Sequence, residues 1–358
     1  MSLANCKKLL YKTAVVLVLA VAALVAAAFG AFARTPAVAA PPARAAFLPQ
    51  LGSLVAVVNT LHARAVGAHV RAVRRRHDPK PRTRPTSTIS LYERTTAPGI
   101  FRLQGCSAAK RGATGVVILD FGKPSYNGHT YGTILFSGAF AGNAKITRAM
   151  FAYARGYAGC LHRGSHDLIA LARGTSNYHP SVPSAYRAGR RWARETMALQ
   201  HALRSAHLDA HVVSAAADDV EPGWDPTFRR THDFYRGYAD SRVGHPLYNY
   251  GSLDGGIVSG VWNAHQAFYV NGGMRYARPI PEIYNRAMAH EWAALAQVAK
   301  HRYHRPLRFA GVMTEHTSAN HGVKPKDAHR MLVRELAAQG RGVLPARVPT
   351  AYTNIKSY

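Results

Sequence analysis

The feature that most constrains this chain is an alternation of short apolar runs with longer helical stretches over its C-terminal two thirds. The runs are GVVILD at 115–120, DLIALARG at 167–174, HVVSAAADDVE at 211–221, PLYNYG at 246–251, QAFYVN at 266–271, PEIYN at 281–285 and LRFAGVM at 307–313. A last candidate lies at 351–355. Helical character falls between them, at 143–157, 184–208, 227–239, 286–301 and 325–338. Strands separated by helices predict a mostly parallel α/β sheet, because each helix returns the chain to begin the next strand in the same direction. Nearly every run also ends in polar, acidic or aromatic residues. An open doubly wound sheet needs such groups only beside its switch point. Their recurrence therefore predicts a TIM-type (β/α) barrel, closed or nearly closed and with room for irregular strands. Residues 112–358, about 247 positions, suit the roughly 250 of such a barrel.

Charge singles out one run. The chain has 18 Asp and Glu against 46 Lys and Arg, a formal net charge of +28. Yet Asp218, Asp219 and Glu221 fall within four positions, ahead of the turn Pro222-Gly223-Trp224. A solvated acidic turn that offsets nearby arginines is the ordinary reading. The functional reading is a site at the C-terminal end of a strand. On a strand, Asp219 and Glu221 share a side, roughly 6.6 Å apart by backbone rise. Asp218 points to the other side and suits an organising role. Asp120 ends the first run and is placed to face the same pocket. Two carboxyls can divide glycosidic cleavage, one donating a proton to the leaving oxygen and the other staying ionised. Glu221 is the expected donor, because the following turn can shield it from water. Asp219 and Asp120 are the candidates for the ionised partner. An ion pair across the barrel is the plain alternative. Asp225, before Pro226, reads as the cap of the next helix.

Tyr178, Trp224, Tyr248, Tyr250 and Tyr269 are candidate stacking surfaces for sugar rings, and Asn177, Asn271 and Glu315 candidate hydrogen-bonding groups. Core packing and turn formation are the alternatives for each, and Trp262 and Trp292 read as packing. No glycine-rich loop fits a nucleotide pattern, so no cofactor is expected. The 19 histidines show no convincing ligand spacing, so no metal is expected either. A divalent ion on Asp218, Asp219, Glu221 and Asp120 is the minor alternative. The chain has no G-x-S-x-G elbow for serine hydrolase chemistry.

The N-terminal region bears on location. Lys7, Lys8 and Lys12 precede an apolar run at 14–33. That pattern predicts a signal peptide or membrane anchor within 1–40, and a secreted or extracytoplasmic protein that stays membrane-anchored if the segment is not cleaved. Residues 41–111 read as a Pro/Ala/Arg-rich linker and lead-in. Within it, 61–85 carries Asp78 as its single acid. This stretch is either a solvated spacer or a salt-sensitive contact to an anionic wall polymer or lipid. It lacks interleaved aromatics, which argues against a specific nucleic-acid partner. Past residue 40 only Cys106 and Cys160 remain, an even pair that fits one disulfide in an oxidising compartment. Two unrelated buried thiols are the alternative. Nothing in the sequence indicates an oligomeric state.

Seven stretches carry a resemblance: LDFGKP at 119–124, YGTILFSG at 131–138, YARGY at 153–157, GTSNY at 174–178, DDVEPGW at 218–224, YNYGSLDG at 248–255 and PEIYN at 281–285. In these, the chain resembles an uncharacterised group of exported actinobacterial proteins with a glycoside-hydrolase-type TIM barrel. It is distantly similar to the family 25 lysozymes. The likeness covers most of 112–316 and departs from the group at DGGIVSG, 254–260, and TEHTSAN, 314–320. It implies Asp120, Asp219 and Glu221 as the acidic site, Tyr248 and Tyr250 at its rim, and peptidoglycan or a related cell-wall polysaccharide as substrate. The expectation is thus an exported glycan-acting hydrolase. A non-catalytic glycan-binding or surface structural protein on the same barrel is the second reading.

Overall fold

The computed structural model describes residues 89–179, 181–314 and 323–339, and the backbone of 87–88 and 353–357. All fall within one compact unit, Pro79–Tyr358. The apolar run 14–33, the basic stretch 61–85 and Glu315 lie outside the described residues. No helix among the described residues is long and apolar enough to cross a membrane.

Strand and helix alternate from the start. β1 (Ser87–Tyr92) leads through α1 (Pro98–Lys110) to β2 (Gly115–Asp120). A small antiparallel sheet follows, made of β3 (Lys123–Tyr126), β4 (Tyr131–Ile134) and β5 (Phe140–Gly142). Then come α2 (Asn143–Cys160), β6 (Ile169–Gly174), α3 (Ala185–Ser205), β7 (Val212–Asp218), α4 (Arg229–Asp240) and β8 (Leu247–Asn249). The chain continues through α5 (Ala264–Phe268), β9 (Ala277–Pro279), α6 (Arg286–His301), β10 (Met313–Thr314), α7 (Pro325–Ala338) and β11 (Thr353–Ser357).

The main sheet has eight strands in the order β10-β11-β1-β2-β6-β7-β8-β9. Every neighbouring pair is parallel. The fold is therefore α/β, a mostly parallel sheet flanked by helices. Past β9, Glu282 forms a parallel bridge with Met313 of β10. Met313 donates its N–H to Pro281 O at 2.7 Å, and Ile283 donates to Met313 O at 2.8 Å.

Period-two alternation sorts the strand side chains into two cores. One face gathers Val116, Ile118, Ala172, Ala215, Ala217, Tyr248, Tyr250, Ile280 and Met313. The other face packs on helices. Val117, Leu119 and Leu171 meet α1 and α2, while Ala216 and Leu247 meet α3 and α4. A strand enclosed on both faces needs apolar residues at every position, and β2 is buried along its whole length.

Helix starts follow their capping residues. Ser184 accepts the Arg187 N–H at 3.3 Å to open α3, and Asn285 accepts the Met288 N–H at 3.1 Å to open α6. The Cys106–Cys160 disulfide joins α1 to α2 across 54 residues of sequence. Glycines bring those two helices into contact. A Cβ at Gly105 would lie 2.1 Å from the Tyr153 carbonyl oxygen, and one at Gly156 would lie 2.0 Å from that of Arg102.

Several expectations need correction. The compact part does not begin at 112, because β1 is hydrogen-bonded between β11 and β2, and α1 carries half of the disulfide. QAFYVN is helical rather than extended. Asn263 accepts the Gln266 N–H while the Gln266 side chain accepts the Asn263 N–H, a reciprocal cap that outweighs the aromatic composition. The strand expected at 281–285 lies at 277–279, and that at 307–313 shortens to 313–314. The β3–β5 sheet was not anticipated.

Candidate active site

Register brings the acids to one end of the main sheet. Tyr92 pairs with Asp120, which pairs with Gly174, at the C-terminal ends of β1, β2 and β6. Ser176 bridges Asp219 just past β7. Alternation places Asp120 on the face of Ile118, Asp219 on that of Ala217, and Glu282 on that of Ile280. These groups open into a cavity of about 690 Å³, lined by Asp120, Asp219, Glu221 and Glu282. Gly174 leaves room beside Asp120, since a Cβ there would lie 2.9 Å from the Asp120 Cα.

Each carboxyl is held differently. Asp120 is buried; its Oδ1 accepts the Gly122 N–H at 2.8 Å, and the Tyr250 hydroxyl hydrogen-bonds its carboxyl. Burial pushes it up to about 7, against the pull of those two bonds. The Asp219 backbone donates to Thr175 O at 2.7 Å and accepts from the Asn177 N–H at 3.1 Å. Burial, then repulsion from Glu282, Asp120, Glu221 and Asp218, holds its carboxyl well above the usual carboxylate range. Glu221 is half-buried and is raised to about 7 by burial and then by Asp254. Asn177 grips its backbone from both sides: Nδ2 donates to Glu221 O at 3.0 Å, and the Glu221 N–H donates to Oδ1 at 3.1 Å. Asp254 steadies the next turn by accepting the Gly223 N–H at 2.9 Å.

Aromatic side chains stand at the opening. Phe136, Tyr178 and Trp224 line the cavity and remain 41 %, 42 % and 40 % exposed. Phe136 stacks on Tyr92, with ring centroids 4.5 Å apart. Lys123 is the one cation among the lining residues, and its Nζ lies 5.5 Å above the Tyr178 ring.

Of the sequence candidates, Asp120, Asp219, Glu221, Tyr178 and Trp224 reach the cavity together. Others do not. Asp218 is buried on the outward face, raised well above its ordinary range by burial and by Asp120. Asn177 is buried and positions Glu221 instead of facing the opening. Tyr250 is buried beneath Asp120, and its hydroxyl oxygen also lies 3.2 Å from Thr175 O. Tyr248 lines a separate hollow with Arg278 and Arg308. Tyr269 packs against Phe228, His232 and Tyr235 in the helix layer. Asn271 is buried, donating to Ala267 O at 2.9 Å and accepting from Asn249 at 2.8 Å. Asp225 and Pro226 do not open the next helix, because Phe228 holds the cap position before Arg229, but Asp225 Oδ2 accepts the Thr231 N–H of its first turn at 2.8 Å.

Sequence reasoning missed two acids. Glu282 lines the cavity, and the Tyr284 hydroxyl donates to it. Its signal was the acid at the second position of the PEIYN stretch in an acid-poor chain. Glu93 follows β1, buried, with Gln104 Nε2 donating to it at 3.3 Å. Burial chiefly, with a contribution from Asp120, pushes it up to about 8. The alternating STISLY before it was the available sign of a strand.

Among the described residues, no three His, Cys, Asp or Glu side chains converge closely enough to hold a metal ion. A scan against protein-family models and a search of curated proteins found no match for this chain.

Proposed function

We propose that this protein is an exported glycan-acting hydrolase, working on peptidoglycan or a related cell-wall polysaccharide from the mouth of a (β/α)8 barrel. Barrel closure is supported by sequential strand order, by β11 returning beside β1, and by the Glu282–Met313 bridge. Export is supported by the apolar run 14–33 and by the disulfide, which suits an oxidising compartment. The basic stretch 61–85 is suited to an anionic wall polymer or lipid.

The single observation that carries the activity is the gathering of Asp120, Asp219, Glu221 and Glu282 under exposed aromatics in one cavity. Mutually repelling buried carboxyls cannot all ionise, so the cluster holds protons at neutral pH. That provides an acid and a base side by side, as glycosidic cleavage requires. Glu221, nearest the opening and raised to about 7, is assigned as the proton donor. Asp120 is assigned as the ionised partner, since the Gly122 N–H and the Tyr250 hydroxyl both stabilise its charge. Asp219 sits among the others and retains the shared proton. Phe136, Tyr178 and Trp224 offer flat apolar faces to sugar rings.

The test compares wild type with Glu221→Gln on isolated cell walls, reading reducing ends released. Loss of a general acid should lower the rate by about 10²–10⁴. Equal release by both proteins removes Glu221 from that role. The exposed aromatics would serve binding equally well. Wall binding by wild type without any release therefore moves the reading to a non-catalytic glycan-binding protein.

A further inference from the structure

At the other end of the strands the charge reverses. A cavity of about 340 Å³ is lined by Arg275, Arg278, His304, Arg305 and Arg308, with no carboxyl among its lining residues. A neighbouring hollow of about 380 Å³ shares Arg278 and Arg308 and reaches Tyr248. Those two arginines thus stand between both spaces, near the N-terminal ends of β8 and β9. We propose that this arginine-lined hollow binds a phosphate-bearing ligand with a head group of pyrophosphate size.

Three observations carry the assignment. First, the cations converge on a concavity instead of fanning out from a convex surface, so several guanidiniums can meet one anion. Second, two of them are already oriented. Arg305 Nη1 donates to Gly273 O at 2.9 Å, and Arg278 Nη1 donates to Ala277 O at 2.6 Å. Each guanidinium has five N–H donors, so most remain for a ligand. Third, none of these four arginines ion-pairs with a carboxylate among the described residues, whereas Arg173, Arg236, Arg286 and Arg330 do. Acid scarcity alone leaves many arginines without such partners, but it does not assemble four of them around one cavity.

The electrostatics are consistent with a missing counter-charge. Arg278 is half-buried, and burial together with Arg308 and Arg305 lowers its proton affinity. An anion would relieve that repulsion. Guanidinium forks match phosphate oxygens two at a time, and the multiple charge of pyrophosphate suits four of them better than a single carboxylate does. The chemistry is shared by a discrete phosphorylated molecule and by a phosphodiester polymer. The site lies away from the acidic cavity, so it stands or falls independently of the hydrolase reading.

Titration calorimetry on the full chain, at about 0.15 M salt to suppress diffuse attraction, tests the proposal with two probes. These are inorganic pyrophosphate and a glycerol-phosphate oligomer. Wild type should bind at least one probe with one-to-one stoichiometry per site. Arg278→Gln/Arg308→Gln should weaken that binding at least tenfold. A control, Arg190→Gln/Arg194→Gln on the exposed face of α3, removes the same charge and should change it less than twofold. Arg308→Gln alone, at an exposed position, should retain wild-type Tm and still weaken binding, which covers loss of fold in the double variant. Pyrophosphate binding identifies a discrete ligand, and binding of the oligomer alone identifies a polymer. Absence of binding to both probes, or equal weakening in the control, overturns the site.

Discussion

The two ends of the parallel strands differ in sign. The C-terminal end collects Asp120, Asp219, Glu221 and Glu282, with Lys123 as the one cation on the cavity lining. The N-terminal end collects Arg275, Arg278, Arg305 and Arg308, with no carboxyl on the lining. The difference shows that net charge does not set local proton affinity. In a molecule of formal charge +28, carboxyls would be expected to ionise easily. Those of the site instead sit high, at about 7 for Asp120 and Glu221. Burial is the first cause for both and Asp254 adds to it at Glu221, whereas exposed cations farther than about 8–10 Å are largely screened. Burial, not the net charge of the chain, is what keeps protons on the acid cluster.

Breaking the acidic end directly should have the largest effect. Asp120→Asn removes the assigned ionised partner and should lower turnover on cell walls by roughly 10³, within the range for acid–base groups. The same change removes a charge that burial resists, so stability at pH 8 should rise. Activity lost together with stability gained would mark a site held at a cost to the fold. A fall in both would make Asp120 a structural residue.

A smaller effect tests the proton inventory without substrate. Glu93 and Asp120 are raised to about 8 and about 7 in the folded chain, from ordinary values near 4. Between those limits the folded state binds more protons than the unfolded state. These two groups therefore make stability fall as pH rises from about 4 to about 8, while His179, lowered to about 4 by burial, opposes them only below the ordinary histidine value. A tenfold change in proton affinity is about 1.4 kcal/mol. Glu93 holds its extra proton across nearly all of the interval and Asp120 across about two pH units, so their combined loss between pH 5 and pH 8 should be on the order of 6 kcal/mol, measurable by denaturant unfolding. Glu93→Gln keeps a polar group beside Gln104 and should flatten that dependence. Stability that increases with pH over this range would contradict the raised values.

Much of this arrangement was legible in the sequence, because period and parity are local. GVVILD became β2 over its full length, and the helices at 286–301 and 325–338 match α6 and α7. Parity separated Asp218 from Asp219 correctly, one outward and one toward the cavity. What failed is non-local. Alternation puts Tyr248 and Tyr250 on the inner face, as found, but not how deep they lie, since depth depends on the stagger of neighbouring strands. Tyr250 ends up under Asp120, and Tyr248 reaches the arginine end. Asn177 and Asn271 looked like ligand-binding amides. Backbone groups exposed at the strand ends and in the α5 turn consume their hydrogen bonds instead. Glu93 was hidden because the basic stretch before it made STISLY resemble a lead-in.

Lys123 offers the finest test of the contrast, as the exception within the acidic end. Its ammonium lies over the Tyr178 ring. The causes that set Asp120, Asp219 and Glu221 are burial, hydrogen bonds and other carboxylates, and do not include this lysine. If that separation is right, Lys123 shapes the binding surface and leaves the proton affinities alone. Lys123→Met keeps most of the aliphatic stem and removes the charge. A lost cation–π contact at a partly exposed site is worth about 0.5–1 kcal/mol. Releasing the Tyr178 ring from that contact costs the sugar face at most the same energy, so KM for a soluble glycan fragment should rise by no more than about fivefold. The pH at which activity falls on the alkaline side should stay within about 0.3 of wild type, well inside the full unit that a 1.4 kcal/mol coupling would give. An alkaline displacement of a full unit would mean that Lys123 is electrostatically part of the carboxyl cluster, and the separation of charge between the two ends would be less complete than the geometry indicates.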